Sequence, residues 1–358
     1  MTTTLTVRGS NRAARFGAAV LPYLIALVAA FAVVAVLITV LGHDPFRAFR
    51  AVLTNSFRTP TGLVQTLQKW VPLTLLALAF AIPLAAGRFN IGGEGQLIMG
   101  AAGAAAVGIN LSGLPAAVLL PLSLIAGILA GAVWSGIAAW LMNSFHVNEI
   151  LSTVLLNFVS FELLDYLASV AWPDAGAGGA VTVPIAAGAE LPTVGKPPMH
   201  LGVLLAVVVA VAAAVLAKRS VAGFEVRAVG LNERAARIHG IRTGRVAVLA
   251  MVVAGAVGGL AGAIEVAGVH HRLLEGIQSN FLLLGIIIGL IARGSLVAVP
   301  FVAAGIAVLE VGAGSMQRSS GVPVEMVLIL EGLILLFLLM SDFIAGRIRS
   351  ARARRTAS

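Results

Sequence analysis

Charge is scarce in this chain, cysteine is absent, and tyrosine is nearly so. Of 358 residues only 11% are charged, against about 25% in an ordinary soluble domain, and this excludes a typical water-soluble globular enzyme. The count of zero cysteines removes disulfides and thiol nucleophiles. No G-x-x-x-x-G-K-[ST] run occurs; Gly195-Lys196 is followed by Pro197, so the chain carries no recognisable P-loop for nucleotide. There is no H-E-x-x-H. His270 and His271 are adjacent and point to different helix faces, which argues against a shared metal site. Six scattered histidines give no Ser/His/Asp arrangement, so an intramembrane enzyme has no support in the residues.

What fills the chain instead is apolar sequence: 59% hydrophobic residues and a mean hydropathy of +1.02. Ten stretches are long enough to cross or nearly cross a bilayer, at roughly 17 to 25 residues per span. They are expected at 20–41, 65–86, 91–109, 115–142, 150–171, 201–217, 246–268, 280–292, 296–312 and 324–343. The first is too long for a signal-peptide core of about 7 to 15 residues and reads as a retained helix. The eighth is too short to cross comfortably and reads as a broken or half helix. Pro72, Pro83, Pro121 and Pro300 predict kinks. The fold class is therefore all-α: a polytopic transmembrane helical bundle of about 10 spans with some helices broken. It forms a single integral membrane domain over 1–358.

An even number of spans puts both termini on one side. With the termini in the cytoplasm, 17 of the 24 Lys and Arg lie inside, seven of them in the loop 218–245, which favours that orientation. The basic tail 347–358 reads as a topology anchor beside anionic lipid rather than a nucleic-acid site. On the outer face, His43–Thr61 reads as a surface helix and Pro173–His200 as a loop rich in Ala, Gly and Pro; neither is expected to fold alone as a binding domain.

Two segments carry chemistry. The first is Phe89-Asn90-Ile91-Gly92-Gly93-Glu94-Gly95-Gln96. A carboxylate, amides and three glycines are costly beside hydrocarbon unless protein or a water-filled cavity satisfies them. Asn90, Glu94 and Gln96 together accept and donate several hydrogen bonds, which suits a polyhydroxylated or amide-bearing solute better than a bare ion. The competing reading is a tight cytoplasmic turn with Glu94 paired to Arg88. Further polar groups fall on spans: Asn148, Glu149, Asn157, Glu162, Asp165, Glu265, Glu310 and Glu331. Asn148 is placed to cap the fifth helix. For Asn157, a helix–helix hydrogen bond competes with a solute contact. The second segment is Leu231–Gly240, which has helix grammar: Asn232 as N-cap, Glu233 in the first turn, Gly240 at the stop, and Arg234 and Arg237 on its edges. A helix of about two turns fits docking in a groove of a cytoplasmic partner; a solvated basic loop is the alternative. GxxxG spacings at Gly127/Gly131, Gly255/Gly259, Gly258/Gly262 and Gly285/Gly289 favour close helix packing.

Four runs in order carry a family resemblance: Ala86-Gly87-Arg88-Phe89-Asn90-Ile91-Gly92-Gly93-Glu94-Gly95-Gln96; Val147–Asn157, reading VNEILSTVLLN; Arg227–Ile241, reading RAVGLNERAARIHGI; and Val322-Pro323-Val324-Glu325-Met326. The chain resembles the membrane-spanning permease subunit of bacterial ABC importers, in the broad family serving ribose-type sugars and branched-chain amino acids, and within it permeases for nucleosides. Two places depart from the usual pattern: Arg88 stands where an apolar residue is expected, and Gly294-Ser295 with Pro300 replaces a more usual polar turn. The resemblance implies alternating access for a nucleoside in a bacterial plasma (inner) membrane. A ribose-like sugar or a branched-chain amino acid is the alternative cargo, and an ion-coupled secondary carrier the rival mechanism. It implies partners: a cytoplasmic ABC ATPase that binds the ATP and Mg, a second identical or homologous permease, an extracytoplasmic solute-binding protein and membrane lipid, with no nucleic acid. No cofactor is bound by this chain itself. It also implies a substrate pathway bordered by Asn90, Glu94, Gln96 and Asn157, and a coupling helix seated on the ATPase at Asn232, Glu233, Arg234, Arg237 and Gly240.

Overall fold

The computed structural model describes residues 12–340, with side chains from residue 25 onward. Readings that concern 1–11 and 341–358, including the basic tail 347–358 and the placement of the termini, lie outside the described residues. Twelve helices follow one another: α1 (Arg12–Val40), α2 (Pro45–Arg58), α3 (Pro60–Leu84), α4 (Gly93–Asn110), α5 (Ala116–Phe145), α6 (Glu149–Tyr166), α7 (Gly202–Arg219), α8 (Val221–Leu231), α9 (Glu233–Ile238), α10 (Thr243–Glu265), α11 (Phe281–Ile291) and α12 (Val299–Ser320). Residues 325–340 are helical as well. A two-stranded antiparallel ribbon, β1 (Thr193–Val194) with β2 (Met199–His200), is the only sheet among the described residues.

The expected apolar stretches are helical as far as the described residues reach. Six of these helices are long and apolar enough to cross a membrane, and a seventh span results if α1 and α2, bent by 119° at their break, are taken together. α4 falls short in hydropathy because it opens on Gly-Glu-Gly-Gln, and α11, at 11 residues, is only ~16 Å long by the 1.5 Å rise of a helix. The short eighth stretch is thus a half-length helix, and the expected surface helix at 43–61 is α2, whose first turn is held by Asp44 Oδ1 accepting from Phe46 N at 2.9 Å.

Leu53–Val311 forms one compact unit; the described residues before and after it form a second. Within the large unit, α3 and α10 are its core: 67% of the apolar window of each is buried, against 17–22% for α5, α6 and α7, whose exposed faces are apolar. Leu151, Leu155, Phe158, Leu204, Val208 and Val211 are among those outward side chains, as expected of helices whose solvent is lipid.

Glycine makes the core possible. A Cβ at Gly259 would strike the α5 backbone at Gly127 and Gly131, one at Gly100 would strike the backbone of Gly259, and one at Gly262 would strike Leu97 O. The Gly127/Gly131 and Gly255/Gly259 pairs therefore face each other, and α4, α5 and α10 touch backbone to backbone. Gly285 does the same for α11 against Leu76 and Ala77 of α3.

At one end of this unit the loop 172–200 is laid down on the bundle: Thr182 N donates to Leu273 O, Ile185 N to His271 O and Leu191 N to Ala267 O, all within 2.9 Å. At the other end lie α8, α9, the end of α5 and the start of α10. The octet Phe89–Gln96 opens from this second end.

Candidate functional site

The octet is not a surface turn. After Leu84 the chain reverses through Gly87, whose φ of +73° only glycine adopts without strain, and runs back into the bundle. Asn90 Nδ2 reaches Ala79 O at 3.2 Å, and Gly93 packs against the side chains of Leu76 and Leu282. Leu76 lies eight residues inside the end of α3, so the octet penetrates ~12 Å along that helix. α4 then starts at depth with its N-terminal amides inside the protein.

Those amides and the extended backbone before them need partners, and the predicted polar residues supply them. Asn90 Oδ1 accepts from Gln96 Nε2 at 2.8 Å and from Gly92 N at 3.1 Å, while Asn90 Nδ2 donates to Gln96 Oε1 at 3.1 Å as well as to Ala79. All four hydrogen-bonding capacities of Asn90 are thus used. Asn157, on α6, grips the octet from the other side: its Oδ1 accepts from Gly95 N at 2.9 Å and its Nδ2 donates to Ile91 O at 2.8 Å. Thr153 Oγ1 accepts from Ile91 N at 3.3 Å, a contact the sequence reading missed; its i−4 position to Asn157 on the same helix face is the signal that would have found it. Asn90, Gln96 and Asn157 are buried.

Glu94 behaves differently. It is half-buried in the first turn of α4, and its carboxylate has no hydrogen bond or ion pair among the described residues, so the pairing with Arg88 weighed in the sequence does not form. Arg88 instead reaches Glu233, Nη2 to Oε2 at 2.9 Å, while Arg237 Nη2 lies 3.0 Å from the other carboxylate oxygen. The structure therefore brings three of the four pathway candidates into one network and leaves the fourth, a carboxylate, unengaged beside it.

The predicted helix at 232–240 is present as α9. Asn232 Oδ1 caps it by accepting from Ala235 N at 2.9 Å, and Gly240 closes it at a φ of +84°. Its inner face is Ala236, buried with Val229 and Val246. Its outer face carries exposed Arg234, and it is bracketed by Leu231 and Ile238, 87% and 78% exposed. Those two apolar ends, and all of α8 with its Ser220 cap, were missed in the sequence reading. Ser220, three residues before the Gly223 amide it binds at 3.0 Å, was the available signal. Between α9 and the α5–α6 turn opens a polar cavity of about 460 Å³, lined by Arg88, Asn143, His146, Glu149, Glu233 and Arg237 among others. Asn148 caps α6 as expected, accepting from Ile150 N and Leu151 N at 2.9 and 3.2 Å. Glu265 is buried and faces His270 at 3.5 Å.

The architecture is thus a helical membrane protein with a polar segment buried inside the bundle, at the break between α3 and α4, and a capped helix presented at the adjacent end. Residues 62–339 match the family described as the branched-chain amino acid transport system permease component. A glucose ABC transporter permease protein of Haloferax volcanii is 38% identical over 332 residues, covering 88% of this chain and 86% of the relative. A guanosine ABC transporter permease protein of Bacillus subtilis is 30% identical over 338 residues (92% and 97% of the two chains). A nucleoside ABC transporter permease protein of Lactococcus lactis subsp. cremoris is 28% identical over 346 residues (93% and 94%). With most of its length matched and its helices apolar enough to span, this chain belongs to the branched-chain amino acid transport system permease component family.

Proposed function

We propose that this chain is the membrane-spanning permease of an ATP-driven importer in a plasma (inner) membrane, and that its cargo is a nucleoside taken from an extracytoplasmic binding protein. The observation that carries the reading is the pairing, at one end of the bundle, of a buried polar segment with a capped, apolar-tipped helix. The first suits a solute path; the second suits a socket on a partner. α9 is the coupling helix: Leu231 and Ile238 anchor it in an apolar groove, and Arg234 meets an acidic rim, an arrangement in which buried apolar anchors carry affinity and rim charge carries orientation. The partner ATPase holds the ATP and Mg, and a second permease, identical or homologous, completes the pathway.

In the pathway, Asn90, Gln96 and Asn157 form the frame, since their bonds are already made internally, and Glu94 faces the solute. An unengaged carboxylate beside a rigid polar frame is an acceptor for ribose or amide donors. A free sugar is the second reading, favoured by the 38% identity to the glucose permease, because a hexose offers the same hydroxyl donors. Alternating access follows from rocking of the bundles about this frame when the ATPase closes.

The test is reconstitution. The chain co-expressed with its neighbouring ATPase, second permease and binding protein should accumulate radiolabelled nucleoside in liposomes only when ATP is inside the compartment facing α9. Leu231→Asp with Ile238→Asp should release the ATPase from the purified complex. ATP-independent accumulation by the single chain would refute the importer reading, and glucose in place of nucleoside as the competing solute would replace the cargo alone.

A further inference from the structure

Arg88 stands where an apolar residue is expected, and its position has a mechanical meaning. It lies on the four-residue link between the end of α3 and the octet. Its guanidinium meets Glu233, the first residue of α9, at 2.9 Å, and Glu233 also holds Arg237 at 3.0 Å. Arg237 in turn reaches Thr243 Oγ1 at 3.4 Å, at the start of α10. The same link is touched a second time. A Cβ at Gly230, the penultimate residue of α8, would strike Ala85 O, and Gly87 packs on Gly230 Cα. Two independent contacts, one backbone and one ionic, therefore fix Ala85–Arg88 to the α8–α9 corner. From Arg88 only one residue intervenes before Asn90, whose four bonds hold the octet rigid.

We infer that Ala85–Arg88 and α9 move as one body, and that the Arg88–Glu233 pair is the strut that passes displacement of α9 to the buried polar segment between α3 and α4. Arg88 is a positioning residue for transport, touching neither solute nor ATP. The inference rests on the reading of α9 as the element seated on the ATPase. The energetics fit a positional role. The side chains are 25% and 40% exposed and border the polar cavity, so the pair, as a solvated ion pair, adds little to stability. What it supplies is register: it selects which way the link follows when the α8–α9 corner shifts.

The readout is transport per ATP hydrolysed by the reconstituted complex. Arg88→Met keeps the length and removes the charge. It should leave assembly, basal ATPase activity and melting temperature near wild type while lowering transport per ATP by about tenfold, within the range of coupling between linked sites. Arg88→Lys should restore most of it. An unchanged ratio in Arg88→Met, with ATPase present in the complex, overturns the strut and leaves the importer reading standing. Absence of any ATPase from the complex overturns both. The chain has no cysteine, which permits a second measurement. With Arg88→Cys and Glu233→Cys together, transport per ATP should be low, and a short bis-methanethiosulfonate bridge between the two thiols should raise it again. A bridge that blocks transport, or changes nothing, shows that the two residues move apart or do not transmit, and the strut is then wrong.

Discussion

The carboxamides of Asn90 and Gln96 bond to each other twice, at 2.8 and 3.1 Å, across the start of a helix that begins inside the bundle. Each amide presents both a donor and an acceptor, so only this reciprocal geometry leaves neither side frustrated. It also explains why the octet survives at depth: a broken backbone there is tolerated where protein replaces water as its partner.

Removing that partner should be costly. Asn157→Leu keeps the branched outline of the side chain but orphans Gly95 N–H and Ile91 C=O, at about 1–3 kcal/mol for each buried group left unpaired. Asn90→Leu orphans Gly92 N–H and the Gln96 amide. Both variants should lower the melting temperature in detergent and reduce the folded yield on size exclusion. Asn110→Leu is the control: the same amide removed from an exposed site where it bonds only Ala106 O. It should melt like wild type.

Glu94→Gln tests the pathway separately from the fold. No hydrogen bond or ion pair is lost, so stability should hold, while uptake should fall by about tenfold if the carboxylate contributes roughly 1.4 kcal/mol to the rate-limiting solute state. Initial uptake rates in proteoliposomes, normalised to assembled complex, measure this. Wild-type uptake would take Glu94 out of the path.

The positions of the apolar helices were legible in the sequence because their signal is additive: length and hydropathy accumulate over a whole span. The two caps, Asn148 and Asn232, were legible because an N-cap is a local rule that needs only the next three residues. The octet's depth was not. Whether Asn90 turns at a surface or reaches Ala79 depends on where Leu76 and Leu282 lie, and no local pattern states that. The partner of Arg88 was missed for the same reason. Glu94 lies six residues away, Glu233 lies 145, and proximity in sequence favoured the wrong carboxylate. GxxxG spacing pointed to close packing, yet which seams meet, Gly127/Gly131 against Gly255/Gly259, is a fact of topology.

A glycine of those seams and a glycine outside them should tolerate a side chain very differently. Gly259→Val places a branched side chain on the α5 backbone at Gly127 and Gly131, where nothing flexible can give way. Folded protein should be lost from the detergent extract. Gly305 in α12 faces open space, so Gly305→Ala should fold and, by the helix preference of alanine, gain up to about 1 kcal/mol. Equal behaviour of the two variants would contradict the packing of α5 on α10.

His200 makes one prediction about pH. It ends the β1–β2 ribbon, outside the spanning helices, and is enclosed between Gly202 and Gly268 with neither ring nitrogen hydrogen-bonded to any described residue. Burial lowers its pKa below the ordinary histidine value, and the charge on His271, itself 3.8 Å from Glu190, lowers it further. The unfolded chain titrates near 6.5. Between that value and the depressed folded one, the unfolded state binds the extra proton, so stability is full above about pH 6.5 and is lost progressively as pH falls toward the folded-state pKa. His200→Phe keeps a planar ring in the enclosure and removes the titration. The melting temperature of the wild type should drop more steeply between pH 7 and pH 5 than that of the variant, and parallel curves would mean that His200 carries none of the acid sensitivity.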